Sequence, residues 1–211
     1  MIKPSSFLGV SNYLEVVYLI DSSSSVSPDE FNAIKNYIAN DLETLDLEKG
    51  KTYVTSVSYG DTLSRVRGND LLLLQQGVRA LRQQSGVAQH AQALEKVLED
   101  MIGKTEFGDN TGKLVVLFKK DKLAVDDDKT LKAAAQLHKR EVTTVVVGFG
   151  DNIDMSELAQ IAGSKGQVVV ISDVDDLPMV MPYTSKAISM LSGKCILILL
   201  FFVSQYFVCK L

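Results

Sequence analysis

Hydrophobic and polar positions alternate between two periods along this chain. Tyr13 to Ile20 is an apolar, β-branched run of strand length, as expected for a strand buried on both faces of a sheet. It stops at Asp21 and four serines. Ser27-Pro28-Asp29-Glu30 then carries the marks of a helix start, with a Ser cap, Pro in the first turn and acids behind it. Phe31, Ile34, Ile38 and Leu42 continue at helical spacing to about Leu45. Tyr53 to Tyr59 alternates as a strand, and Gly60-Asp61 turns the chain into a short antiparallel partner over Thr62–Arg67. The spacing predicts helices over Leu71–Gln83, capped by Asn69, and over Ala88–Ile102. Buried strands are predicted at Leu114–Phe118, Thr143–Val147 and Gln167–Ile171. Helices are predicted from Asp126–Asp128 to about Arg140, over Ser156–Ala162, and from Asp175 to about Leu191.

Strands alternating with helices imply an α/β fold. We expect a doubly wound, mostly parallel central sheet with one antiparallel edge strand and helices on both faces. The pattern divides the chain into an N-terminal extension (1–12), one domain (13–191) and an apolar C-terminal tail (192–211).

Composition narrows the function. The chain has 211 residues and a net charge of −4, which argues against a broad nucleic-acid surface. Its two cysteines, Cys195 and Cys209, both lie in the tail, so the domain has no internal disulfide or cysteine metal cluster. His90 and His138 form no HExxH and pair with no nucleophile in sequence, which leaves no catalytic residue to name. Both read as solvated or half-buried helix residues. Gly148-Phe149-Gly150 lacks the third glycine of a dinucleotide fingerprint, and Asp151 and Asp154 there would repel phosphate. Asp126–Asp128 read as solvated acids complementing a helix dipole.

The chemistry that remains is at the end of the first strand. Asp21, Ser23 and Ser25 are spaced so that a turning loop can aim three hard oxygen ligands at one point, which suits Mg²⁺. They follow a buried central strand, where open α/β sheets place their ligands.

The order strand, DSSSS, helix, hairpin and then alternating helices and strands resembles the von Willebrand factor type A (VWA) domain. Asp21-x-Ser23-x-Ser25 matches the first segment of that family's metal-ion-dependent adhesion site. SSVSPDEFNAIKNYI, KTYVTSVSYGDT, TTVVVGFGD and LAQIAGSKGQVVVISDVDDL are similar to the matrilin and collagen VI type. The resemblance implies a non-enzymatic protein-binding module of the extracellular matrix or cell surface, with collagenous proteins among its partners. It also implies that metal is held by the two serines, by a threonine from a second loop and by acids from the first and third.

Here the sequence departs from the family pattern. The second loop reads Ser85-Gly86-Val87-Ala88-Gln89-His90, so Ala88 or Val87 stands at the threonine position. Lys120 stands at the third-loop acid, with Asp121 one residue late. An ammonium ~4 Å from a divalent ion opposes each unit of its charge by about 4 kcal/mol at an effective dielectric of 20. The expected site is therefore degenerate, with no metal or weakly bound Mg²⁺, and Lys120 is expected to set its ammonium beside Asp21 in place of the cation. The face expected to meet a partner includes Ser22, Ser24, Ser85, Lys120 and Asp151. Two rivals stay open: Mg²⁺-dependent adhesion through Asp21, Ser23, Ser25 and Asp121, and an α/β enzyme holding phosphate at the serine loop. Lys119, Lys120 and Lys122 read as a solvated basic cluster or as a patch for an acidic partner.

The tail, CILILLFFVSQYFVC, is ~22 Å long as a helix against a ~30 Å hydrocarbon core. It reads as a short membrane anchor, a removable lipid-anchor signal or sequence beyond the natural domain end. Secretion to the matrix is expected from the resemblance, with membrane anchoring as the alternative. The N-terminal stretch lacks a secretory signal, so the chain is intracellular or its true start lies upstream.

Overall fold

A computed structural model describes residues 13–47, 50–102, 111–120 and 127–192. The expected N-terminal extension, Asp121 and the tail beyond Ser192 lie outside these residues. Six strands form one sheet: β1 (Tyr13–Asp21), β2 (Thr52–Tyr59), β3 (Leu63–Gly68), β4 (Thr111–Lys120), β5 (Thr143–Phe149) and β6 (Gln167–Ile171). Their order is β3-β2-β1-β4-β5-β6. Every pairing is parallel except β2 with β3, which is antiparallel at one edge. β1 lies at the centre between β2 and β4, and Val16 to Ile20 are each at most 3% exposed, as a strand covered on both faces requires.

The period of two along the strands divides the interior. Leu14, Val16, Tyr18 and Ile20 of β1 join Leu114, Val116 and Phe118 of β4 on one face. There they pack under α1 (Pro28–Asp41), α2 (Leu71–Ala80) and α6 (Met181–Ser192), through residues such as Ile34, Val78 and Ala187. Val17 and Leu19 join Val115 and Leu117 on the other face. Their cover is α3 (His90–Val97), α4 (Asp127–Lys139) and α5 (Met155–Ala162), through Leu94, Leu137 and Leu158.

The helix boundaries follow their caps. Ser27 and Glu30 form a reciprocal capping box at the start of α1: the Glu30 N–H donates to the Ser27 hydroxyl and the Ser27 N–H donates to Glu30 Oε2. Asp70, not the expected Asn69, caps α2 by accepting from the Leu73 N–H at 2.9 Å. α2 also stops at Ala80, three residues before the expected end at Gln83. The reason lies on the neighbouring helix, where the Lys35 ammonium donates to the carbonyls of Arg79 and Leu81 at 3.1 Å each. A cation satisfying terminal carbonyls stabilises a helix end through both hydrogen bonding and the dipole. The expected last helix is a 3₁₀ segment over Val174–Val180 that leads into α6.

One polar group is buried deep beneath α1. Asp41, at its last turn, is fully buried and accepts from the Tyr18 hydroxyl at 2.8 Å. Burial raises its pKa to about 6, although the Tyr18 and Thr184 hydroxyls pull it back down. A folded-state pKa above the unfolded value means that the folded state holds the proton more tightly. This contribution to stability is therefore complete below about pH 4 and is lost as pH rises through about 6. Asp41→Asn is expected to remove the slope. The wild-type minus variant difference in unfolding free energy should fall by about 3 kcal/mol across that window. Chemical denaturation at a series of pH values measures it, and a flat difference would mean that Asp41 titrates as an ordinary carboxyl.

Candidate functional site

The serine loop starts where β1 runs out of partners. Asp21 is the last residue of the strand and is fully buried, and its Oδ1 accepts from the Ser23 N–H at 3.0 Å, which turns the chain sharply. Ser22 points inward. It is fully buried, and its hydroxyl donates to the Tyr59 carbonyl at 2.9 Å, so it anchors the loop to β2 instead of facing a partner as expected. The Ser23 and Ser25 hydroxyls meet at 2.8 Å, Ser23 buried and Ser25 exposed. The other oxygen of Asp21, Oδ2, makes no hydrogen bond among the described residues.

Ser24 ties this loop to the second. Its N–H donates to the Gly86 carbonyl at 3.0 Å, and its hydroxyl accepts from the Gly86 N–H at 2.9 Å. Asp61, in the β2–β3 turn, completes the clamp: its N–H donates to the Ser85 carbonyl and its carboxylate accepts from the Val87 N–H. Gly86 has φ +80°, and a Cβ there would lie 1.9 Å from the Asp61 carboxylate oxygens, so only glycine fits. Ser85 and Val87 are exposed, and Ala88 is half-buried against the apolar cluster under α3. Neither Val87 nor Ala88 offers a side-chain oxygen.

The third loop departs most from expectation. Lys120 does not approach Asp21 with its ammonium, which contacts both Glu30 oxygens at 2.9 Å, on the α1 side of the sheet. Lys119 is the inward residue: it is 1% exposed, and its ammonium is 3.0 Å from Glu157 of α5. The expectation of a solvated basic cluster fails for this lysine. The cause is parity. Phe118 faces α1, so Lys120 does too, while Lys119 shares the face of Leu117, Leu19 and Asp21. The pairing of Ile20 with Phe118 sets Asp21 and Lys119 next along adjacent strands.

This interior is electrostatically unusual. Burial raises the Asp21 pKa, against the lowering effects of the Ser23 backbone and hydroxyl, the Lys120 backbone and the Lys119 charge. His90, expected to be solvated or half-buried, is 5% exposed and stacks edge-on against Tyr59 with ring centroids 5.4 Å apart. Burial first, and the Lys119 charge second, push its pKa down to about 3, so it is neutral at physiological pH. Among the described residues no three His, Cys, Asp or Glu side chains cluster as a metal site would require. Asp151 is exposed in the turn after β5, and Asp154 caps α5 by accepting from the Ser156 and Glu157 N–H groups.

The doubly wound sheet and the DxSxS turn at the end of its central strand agree with the comparison by sequence. The von Willebrand factor type A domain model matches residues 15–181, and the chain belongs to that family. It is similar to the mouse (Mus musculus) collagen alpha-6(VI) chain, 25% identical over 183 residues, covering 79% of this chain and 8% of that one. Mouse matrilin-1 is 28% identical over 169 residues, covering 76% of this chain and 33% of its own length. The chain thus spans well under half of these relatives. Among solved structures, proximal thread matrix protein 1 from the mussel byssus superposes with a TM-score of 0.75 at 16% identity. That match covers 86% of this chain and 49% of that one.

Two stability tests follow from this geometry. Lys119→Met alone is expected to cost about 3–5 kcal/mol by leaving the Glu157 carboxylate buried without its cation. Adding Glu157→Gln should recover most of the loss in urea denaturation, whereas equal losses would mean that the two groups are uncoupled. Gly86→Ala is expected to cost about 2 kcal/mol or more, from the positive φ and the clash with Asp61. Unchanged stability would show that the loop rearranges freely.

Proposed function

We propose that this chain is a non-enzymatic, protein-binding adhesion module of an extracellular matrix or cell-surface protein. Its partner is another matrix protein, and collagenous proteins are the first candidates. The observation that carries this reading is the kinship with collagen VI and matrilin chains over most of the domain. The docking surface is the edge of the sheet where the parallel strands end, with Ser24, Ser25, Ser85 and Asp151 exposed and the apolar side chains of Val87 and Met155 beside them. Small polar groups around exposed apolar anchors suit a protein partner better than a phosphate, for which Asp61 and Asp151 are the wrong charge.

The metal site is degenerate in this reading. Asp21, Ser23 and Ser25 are the residues that would hold a Mg²⁺ ion, which would supply a Lewis acid for a partner carboxylate, and the full burial of Asp21 at the root of the loop is the feature that favours them. The rest of the donor set does not fit: Ala88 and Val87 supply no oxygen, and Lys119 adds a fixed cation below. Adhesion is then metal-independent. Secretion to the matrix accords with the kinship. No described helix is long and apolar enough to cross a membrane, and the membrane-anchor alternative rests on the tail alone.

Solid-phase binding of the full chain to triple-helical collagens and to a matrix extract tests this reading, with Mg²⁺ or with EDTA. We expect saturable binding that is unchanged by EDTA and weakened at least about tenfold by Val87→Asp. Binding abolished by EDTA would favour the Mg²⁺-dependent rival. No matrix binding, together with thermal stabilisation by a nucleotide or sugar phosphate, would favour the enzyme.

A further inference from the structure

We propose that Lys119 is a built-in counter-cation that takes the electrostatic place of a divalent ion beneath the serine loop, and that it makes this module blind to metal. The inference deepens the adhesion reading by naming the residue behind its metal independence, but its test needs no partner.

Two geometric features place the lysine in that role, and a third, electrostatic, agrees with them. The first is position: the parity of β4 turns Lys119 to the face of Asp21, and the strand register sets the two side by side. The second is burial. At 1% exposure, Lys119 is among the largest fully buried side chains of the domain, in the company of Tyr18, Tyr59, Phe118 and Phe149. A lysine is almost never that buried unless its charge is matched. Here two buried carboxylates lie on its side of the sheet, Glu157 at 3.0 Å and Asp21 next along the adjacent strand.

The third feature is that the ammonium already opposes another positive charge nearby. Its field is one of the two causes that keep the His90 imidazole unprotonated, in a ring packed on Tyr59 under the second loop. That effect ranks behind burial at His90, and for an ion at the loop the same repulsion scales with the charge of the ion. The Ser23 and Ser25 hydroxyls lie 2.8 Å apart in the loop that Asp21 turns, and the cation beneath that loop opposes a metal there.

The test is a titration with Mn²⁺ alone, followed calorimetrically and by thermal stability, on the full chain. Wild type is expected to show no saturable binding at millimolar Mn²⁺ and no change in Tm between Mn²⁺ and EDTA. The double variant Lys119→Met, Glu157→Gln removes one charge of each sign and leaves the serine loop intact. It is expected to bind Mn²⁺ at least about tenfold more tightly, and Ser25→Ala in that background is expected to abolish the gain. Saturable Mn²⁺ binding by wild type overturns the proposal, and this arm stands whether or not the variant folds. A folded double variant with no gain in affinity overturns it as well. Either outcome bears on the metal independence of adhesion alone, and matrix binding itself fails only in the matrix-binding assay.

Discussion

The polar architecture of this domain depends on the side-by-side pairing of β1 and β4 with both faces of each strand covered. A strand buried on one side can end in almost any residue. A strand buried on two sides delivers successive residues to opposite interiors, so the polar residues at its end must each find a charge or a hydrogen bond on the side to which parity sends them. Asp21 and Lys119 go to the α3–α5 side, and Lys120 goes to α1. Adjacent lysines consequently meet different acids on opposite faces of the sheet. One is fully buried, and the other is at the rim.

Most of the fold was legible because its signals are local and redundant. The apolar runs at Leu114–Phe118 and Thr143–Val147, the Ser27-Pro28 start and the Gly60-Asp61 turn each fix an element, and their alternation fixes the sheet. The discrepancies come from contacts between elements distant in sequence. The end of α2 is set by Lys35, on another helix, so the sequence of α2 alone cannot show it. Asn69 and Asp70 are both good caps, and only the backbone geometry chooses between them.

The turn of the first loop was legible in the sequence, and the lysines of the third were misread. The lysines after Phe118 look like a solvated cluster because lysine usually is solvated. The period of two was available in the sequence, however, and extending it past Phe118 puts Lys119 inward and Lys120 on the side of α1. His90 is a harder case: nothing in its neighbourhood along the chain announces that Tyr59 will stack on it. Ser22 is similar, since four consecutive serines look equivalent until Tyr59 takes the hydroxyl of one of them.

Glu30 has a further consequence. The same carboxylate closes the capping box of α1 and receives the Lys120 ammonium from the end of β4. The first turn of α1 is thereby fastened to the central sheet at the rim where the ligand loops emerge. A pull on the chain at the serine loop is shared between helix and strand before either can slide past the other. One carboxylate thus couples the start of a helix to the end of a strand, and losing Glu30 would release both at once.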